Sequence, residues 1–304
     1  MINIRNFIKG FLMGVCDIIP GVSGGTIAFI TGIYARLISS IKSFSLRLIY
    51  DIFLFIFLRK RTDIIKLKKD IKKLDLVFLF SVILGIITAL LLTSRVISFL
   101  LEDHYIFTMS FFIGLILASS IIIFTHIRNH NITNLFFGLL GLVSIIIIMF
   151  FRPIEVINPS LLYLYLGGFL GISAMFLPGI SGAFILLIMG LYNHLIFYLN
   201  NIGDNLLEIS IFCLGIISGA FIISRLIDFL FVKSKNKTLY FLLGLVIGSL
   251  FIPLKEIFIK IDRNTTSITL SIIFFAIGFL AVLSLELINK KKKNSLITVE
   301  EKFK

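Results

Sequence analysis

The chain has 304 residues, 58% of them hydrophobic and 15% charged, with a mean hydropathy of +1.08. Soluble domains carry about 25% charged and about 45–50% apolar residues, so a soluble globular protein is excluded and an all-α polytopic membrane protein is implied. The net charge of +13, from 29 Lys and Arg against 16 Asp and Glu, is concentrated in short loops that read as topology signals facing anionic lipid, with no nucleic-acid partner implied.

At the start, Arg5 and Lys9 precede an apolar run in the manner of a signal peptide. Asp17, Pro20 and Gly21 interrupt that run and no small-residue cleavage site follows, which argues against removal. Val15 is too bulky for a lipidation signal ahead of Cys16. Cys16 and Cys213 lie far apart in apolar sequence, so neither a disulfide framework nor a metal or cofactor site is expected. Residues of about 7–45 form one broken apolar segment. Residues 46–58 are apolar but carry Arg47 and Asp51, and either span or lie at the interface.

The loop 59–73 holds eight Lys or Arg against Asp63 and Asp70, which makes it cytoplasmic by the positive-inside rule. Spans are expected near 76–101, 105–127 and 131–151. A second broken segment covers about 161–200, followed by spans near 205–232, 238–259 and 266–289 and a basic tail, 290–304. If both broken segments are re-entrant, Lys233, Lys235, Lys237 and Lys290–Lys293 all fall on the cytoplasmic side with loop 59–73. The opposite loops, including Glu102, Asp103, Glu155, Asp204 and Glu208, are acidic or mixed. His104 and His194 read as solvated residues at the outer boundary.

The two broken segments resemble each other. Ile19-Pro20-Gly21-Val22-Ser23-Gly24-Gly25 parallels Leu177-Pro178-Gly179-Ile180-Ser181-Gly182-Ala183, and Gly32-Ile33-Tyr34 parallels Gly190-Leu191-Tyr192, both 158 positions later. In the following spans Gly85, Ser94-Arg95, Thr108 and Gly114 match Gly215, Ser224-Arg225, Thr238 and Gly244, 130 positions later. The pattern predicts two inverted-topology repeats, 1–151 and 152–289, each a re-entrant broken hairpin followed by three transmembrane helices. That is the plan of many secondary transporters.

Pro-Gly-x-Ser-Gly stops a helix at membrane depth, where irregular backbone survives only inside protein or beside a wet cavity. The helix restarting near Ser23–Thr26, or near Ser181 and Gly182, presents unpaired N–H groups and the positive end of its dipole, which suits phosphate or carboxylate. The alternative is a kink in which Ser caps its own helix. Arg95 lies about 10 Å below the outer end of its span, and Arg225 about 12 Å from the inner end of its own. Arginines at such depths face a cavity or a partner, or else snorkel. A matched pair able to grip phosphate bidentately favours an anionic ligand. Asp228 stands three residues after Arg225 on the same helical face, which predicts an intrahelical pair. Asp17 faces Met175 in the alignment of the halves. It is suited to binding a coupling cation such as Na⁺, to taking a proton, or to neutralising an arginine. Gly85/Ala89, Gly114/Ala118, Gly215/Gly219 and Gly244/Gly248 read as helix-packing pairs.

The run Gly14-x-x-Asp17-x-x-Pro20-Gly21-Val22-Ser23-Gly24-Gly25-Thr26 with Gly32-Ile33-Tyr34, and its second copy from Leu177 to Tyr192, resembles the bacterial polyprenyl-phosphate transporter family, over nearly the whole chain. The resemblance implies a flippase in the bacterial cytoplasmic membrane. It would return undecaprenyl phosphate, the carrier lipid of cell-wall synthesis, from the outer to the cytoplasmic leaflet. It carries over Asp17, Pro20, Gly21, Ser23, Gly24, Gly25, Thr26, Pro178, Gly179, Ser181 and Gly182 as functional positions. Arg95 and Arg225 rest on the repeat. Two other readings stand beside it. A membrane undecaprenyl-pyrophosphate phosphatase also uses Pro-Gly-x-Ser, but there the motif continues with Arg-Ser and acidic residues, whereas Gly24-Gly25 follow here. A secondary transporter of a small soluble anion is the other.

Overall fold

A computed structural model describes residues 3–18, 23–44, 74–127, 129–151, 153–261 and 264–302. The Pro20–Gly21 break, the segment 46–58 and the basic loop 59–73 lie outside these residues. The rest is helical: α1 Ile4–Asp17, α2 Gly24–Ile30, α3 Tyr34–Lys42, α4 Leu76–Asp103, α5 Tyr105–His126, α6 Ile132–Met149, α7 Leu161–Met175, α8 Gly182–Ile188, α9 Tyr192–Asn200, α10 Leu206–Ser249, α11 Phe251–Lys260 and α12 Thr265–Lys302. Helices are the open-chain structure that satisfies its own backbone in hydrocarbon. Polar residues mark their ends. The Asn131 side chain accepts from the Asn134 N–H at 3.0 Å, and Ser160 accepts from Tyr163 at 3.3 Å, each capping a helix start. Five helices are long and apolar enough to cross a membrane, or seven if each of two bent pairs counts as one span. The chain is a multi-pass membrane protein.

Three boundaries differ from expectation. The loop around Lys233–Lys237 is a kink at one non-helical residue, Ser234. No Pro or Gly lies between Ala220 and Leu243 to end the helix sooner. The span expected over 238–259 breaks at Leu250, and Pro253 falls in the first turn of α11, where its missing N–H is among the donors a helix leaves unpaired. The last helix runs on through Lys290–Lys293 to Lys302, where a tail was expected.

Close helix pairs organise the bundle, and glycines set them. A Cβ on Gly10 would stand 2.1 Å from the Val82 carbonyl oxygen, and one on Gly85 2.2 Å from that of Phe7, so α1 and α4 touch backbone to backbone. Gly168 on α7 would meet Phe212 at 2.2 Å and Gly215 would meet Tyr165 at 2.1 Å, the same contacts 158 and 130 positions on. Small residues allow this approach, which dispersion then rewards. Similar close contacts join helices far apart in the chain. Gly278 of α12 meets Phe111 of α5 at 2.0 Å, and Gly141 of α6 meets Phe241 of α10 at 2.1 Å. The Thr108 hydroxyl donates to Leu100 O at 3.2 Å and Thr238 to Leu230 O at 2.9 Å, each reaching back eight residues across a break, at His104 and at Ser234.

Candidate functional site at the hairpin tips

α1 and α2 form an antiparallel hairpin fixed at both ends. At its tip the Gly24 N–H donates to Asp17 Oδ1 at 2.7 Å, and at its base the Lys9 ammonium donates to Thr31 O at 2.6 Å. α2 is seven residues long and buried from Gly24 to Phe29. Its first N–H groups therefore need partners inside the protein. Gly24 finds Asp17, Gly25 finds Ser23 Oγ at 3.2 Å, and Thr26 finds Ser23 O at 2.9 Å. A carboxylate at the positive end of the helix and an ammonium at the negative end also complement its dipole. Gly32, at φ +72°, then turns the chain by 113° into α3.

α7 and α8 repeat this shape without the charges. The Tyr163 hydroxyl donates to Met189 O at 2.9 Å, where Lys9 serves the first hairpin. Met175 stands against Gly182, where Asp17 stands against Gly24. The Ser181 side chain makes no capping bond. Gly190, at φ +67°, turns the chain by 105° into α9.

The two tips meet. The Gly179 N–H donates to Thr26 Oγ1 at 2.8 Å, and the Tyr34 hydroxyl donates to Phe176 O at 2.6 Å. A Cβ on Gly25 would stand 2.6 Å from Met175 O. Ser23, Gly24, Gly25, Thr26, Pro178, Gly179 and Gly182 are buried and Ser181 is half-buried, so the structure gathers the motif residues it describes into one place.

The arginines stand elsewhere. Arg225 donates to Phe44 O and Phe221 O, both at 2.8 Å, with its guanidinium 3.3 Å from the Phe221 ring centroid. It thus ties α10 to the end of α3. Arg95 is exposed and makes no hydrogen bond or ion pair among the described residues. The expected Arg225–Asp228 pair is replaced by Lys42–Asp228, because α3 brings an ammonium to a carboxylate whose helical neighbour already bonds carbonyls. Lys9, Tyr34 and Lys42 were not legible as contacts. Only the repeated Gly-x-Tyr singled out Tyr34. Among the described residues no group of three or more His, Cys, Asp and Glu is placed to hold a metal.

Comparison with known proteins places the chain in a family. The family described as VCA0040-like, undecaprenyl phosphate translocase-like, matches residues 13–269. A protein of Vibrio cholerae named polyprenyl-phosphate transporter is 34% identical over 247 residues, 81% of this chain and 76% of its own. A protein of Staphylococcus aureus with the same name is 28% identical over 295 residues, 92% of this chain and 95% of its own. Both are named as transporters and neither as an enzyme, which sets the phosphatase reading aside. No solved structure matches the chain.

Proposed function

The chain belongs to the undecaprenyl phosphate translocase-like family, and from that premise we propose that it carries a polyprenyl phosphate, undecaprenyl phosphate in particular, from the outer to the cytoplasmic leaflet of the bacterial membrane. The observation that carries the reading is the meeting of two similar hairpin tips through Thr26–Gly179, with Tyr34 of α3 bonding the second tip at Phe176 O. Carrier lipid returned in this way is available again for cell-wall synthesis.

In this account residues 1–151 and 152–289 are inverted repeats whose re-entrant hairpins enter from opposite faces. The paired glycine contacts on α1/α4 and α7/α10 support it. Loop 59–73, the Lys233–Lys237 region and the C-terminal lysines are cytoplasmic, where they also meet anionic lipid. Pro20-Gly21 and Pro178-Gly179 break the hairpins. The phosphate is held by Ser23, Gly24, Gly25, Thr26, Ser181 and Gly182, while the isoprenoid tail stays in lipid. Arg95 attracts the head group on the outer side and Arg225 receives it on the inner side. Rocking of the two halves exposes the site alternately. The Asp17 carboxylate accepts from the Gly24 N–H at the first tip, the donor this account assigns to phosphate. A proton or Na⁺ that neutralises its carboxylate frees the Gly24 N–H for phosphate, which couples the ion to the lipid.

Ligand-induced stabilisation tests the substrate class. A ligand at 100 times its Kd adds about 2.7 kcal/mol to stability. Purified protein is expected to unfold at a higher temperature with polyprenyl phosphate, and to be unmoved by the corresponding polyprenol or by inorganic phosphate. Equal stabilisation by inorganic phosphate alone would instead identify a carrier of soluble anions.

A further inference from the structure

Around α3 and its counterpart α9, matched positions in the two halves are not equally engaged. Tyr34 is 3% exposed and bonds the opposite tip, whereas its counterpart Tyr192 is 40% exposed. α2 is buried from Gly24 to Phe29, whereas in α8 only Gly182 is buried. α3 packs along α10 across the boundary between halves, but α9 has no comparable packing on α4. Arg225 bonds the carbonyl of Phe44, whereas Arg95 bonds nothing among the described residues.

From this asymmetry we propose that α3 is a cytoplasmic gate, shut in this structure, and that Lys42–Asp228, Arg225–Phe44 O and Tyr34–Phe176 O are its latch. The proposal rests on the alternating-access reading above, and it specifies which contacts alternate. Phe44 leads directly into the chain that carries the basic loop, and Asp228 lies five residues before Lys233, so the latch sits on the cytoplasmic side. α3 is anchored to its own half by Arg36, whose guanidinium bonds Asp75 at 2.6 Å and lies 4.3 Å from the Phe78 ring centroid. It therefore spans from the start of α4 to α10 like a strap. The latch bonds are of a kind that can exchange. The Lys42 and Asp228 side chains are 45% and 24% exposed, so the pair is not enclosed by protein and its contribution is modest. The arginine and tyrosine bonds end on backbone carbonyls, which any sequence supplies.

Symmetry then specifies the opposite state. When the latch releases, the outer side closes, the Arg95 guanidinium bonds the carbonyl of Ile202, and the Tyr192 hydroxyl bonds that of Ile18. These four positions are the repeat counterparts of Arg225, Phe44, Tyr34 and Phe176. Only the ion pair has no outer equivalent, because Ser98 and Asn200 stand where Asp228 and Lys42 stand. The latch thus biases the resting protein toward the state open to the outer leaflet, where substrate arrives.

The test is a cross-link that needs no substrate. In full-length protein with Cys16→Ala and Cys213→Ser, Arg95→Cys and Ile202→Cys are joined by a short bifunctional thiol reagent in native membranes. The yield is expected to be low with the latch intact. It should rise about two- to fivefold with Lys42→Ala or Asp228→Asn, the population shift expected from a partly exposed ion pair. It should fall back in the charge-swapped Lys42→Asp/Asp228→Lys pair. A yield that is high with the latch intact, or unchanged across all variants, would overturn the gate whatever the lipid assays show. A cross-link that responds as expected, while the protein with Arg95 and Ile202 intact moves no polyprenyl phosphate, would uphold the gate and reject the substrate.

Discussion

Gly179→Ala is expected to cost the protein about 3 kcal/mol of stability, and to do so at the point where the second hairpin meets the rest of the molecule. Two independent effects combine. Gly179 has φ +87°, a left-handed conformation that costs a residue with a Cβ about 1–2 kcal/mol. That Cβ would also stand 2.6 Å from the Leu245 carbonyl oxygen on α10. Backbone cannot move aside as a side chain can, and overpacking costs about 1–3 kcal/mol. Thermal unfolding in detergent should show a melting point several degrees lower, with more aggregated protein on purification. Gly203→Ala is the control, since nothing lies within 4 Å of its Cβ position. An unchanged melting point in Gly179→Ala would mean that the tip does not bear on α10.

Thr26→Val tests the bond between the tips with almost no change of shape. Valine preserves the branched volume and removes the oxygen that accepts from the Gly179 N–H at 2.8 Å. Thr26 is 1% exposed, so water does not readily replace the lost partner. A buried donor left unpaired costs about 1–3 kcal/mol. Combining Thr26→Val with Tyr34→Phe, which removes the bond from α3 to the second tip, should cost measurably less or more than the two single changes together, because both bonds end on the second tip within four residues, Phe176 to Gly179. Strict additivity would indicate that the two bonds serve separate contacts.

The sequence made the membrane class legible, along with the bends at Gly32 and Gly190, because these depend on composition and on Gly at particular positions. The matched glycines also marked the helix contacts, since backbone approach leaves a visible requirement for small residues. Partner choice was less visible. Asp228 has Arg225 one helical turn away, and local spacing favours that pair. The actual partner, Lys42, is 186 residues distant and is delivered by the turn at Gly32. The use of Asp17 as the acceptor for the first N–H of α2 was hidden for a related reason. A seven-residue helix buried on all sides must find its N-terminal acceptors in the hairpin itself, and sequence shows the acid but not the fold-back. Boundaries at Lys233–Lys237 and Leu250 followed hydropathy only loosely, because in this bundle a single non-helical residue suffices to separate two helices.

The meeting of the tips gives the motif residues a common location, and the proposed function assigns that location to a phosphate head group moving between leaflets. The most direct test places purified protein in liposomes containing a polyprenyl phosphate and follows how fast the head group becomes accessible from the opposite leaflet. The account predicts that it crosses faster with the protein than without, that the lipid phosphate stays intact, and that Arg95→Ala loses most of the gain. Equal rates with and without protein under both Na⁺ and proton gradients, or release of inorganic phosphate in place of translocation, would contradict it.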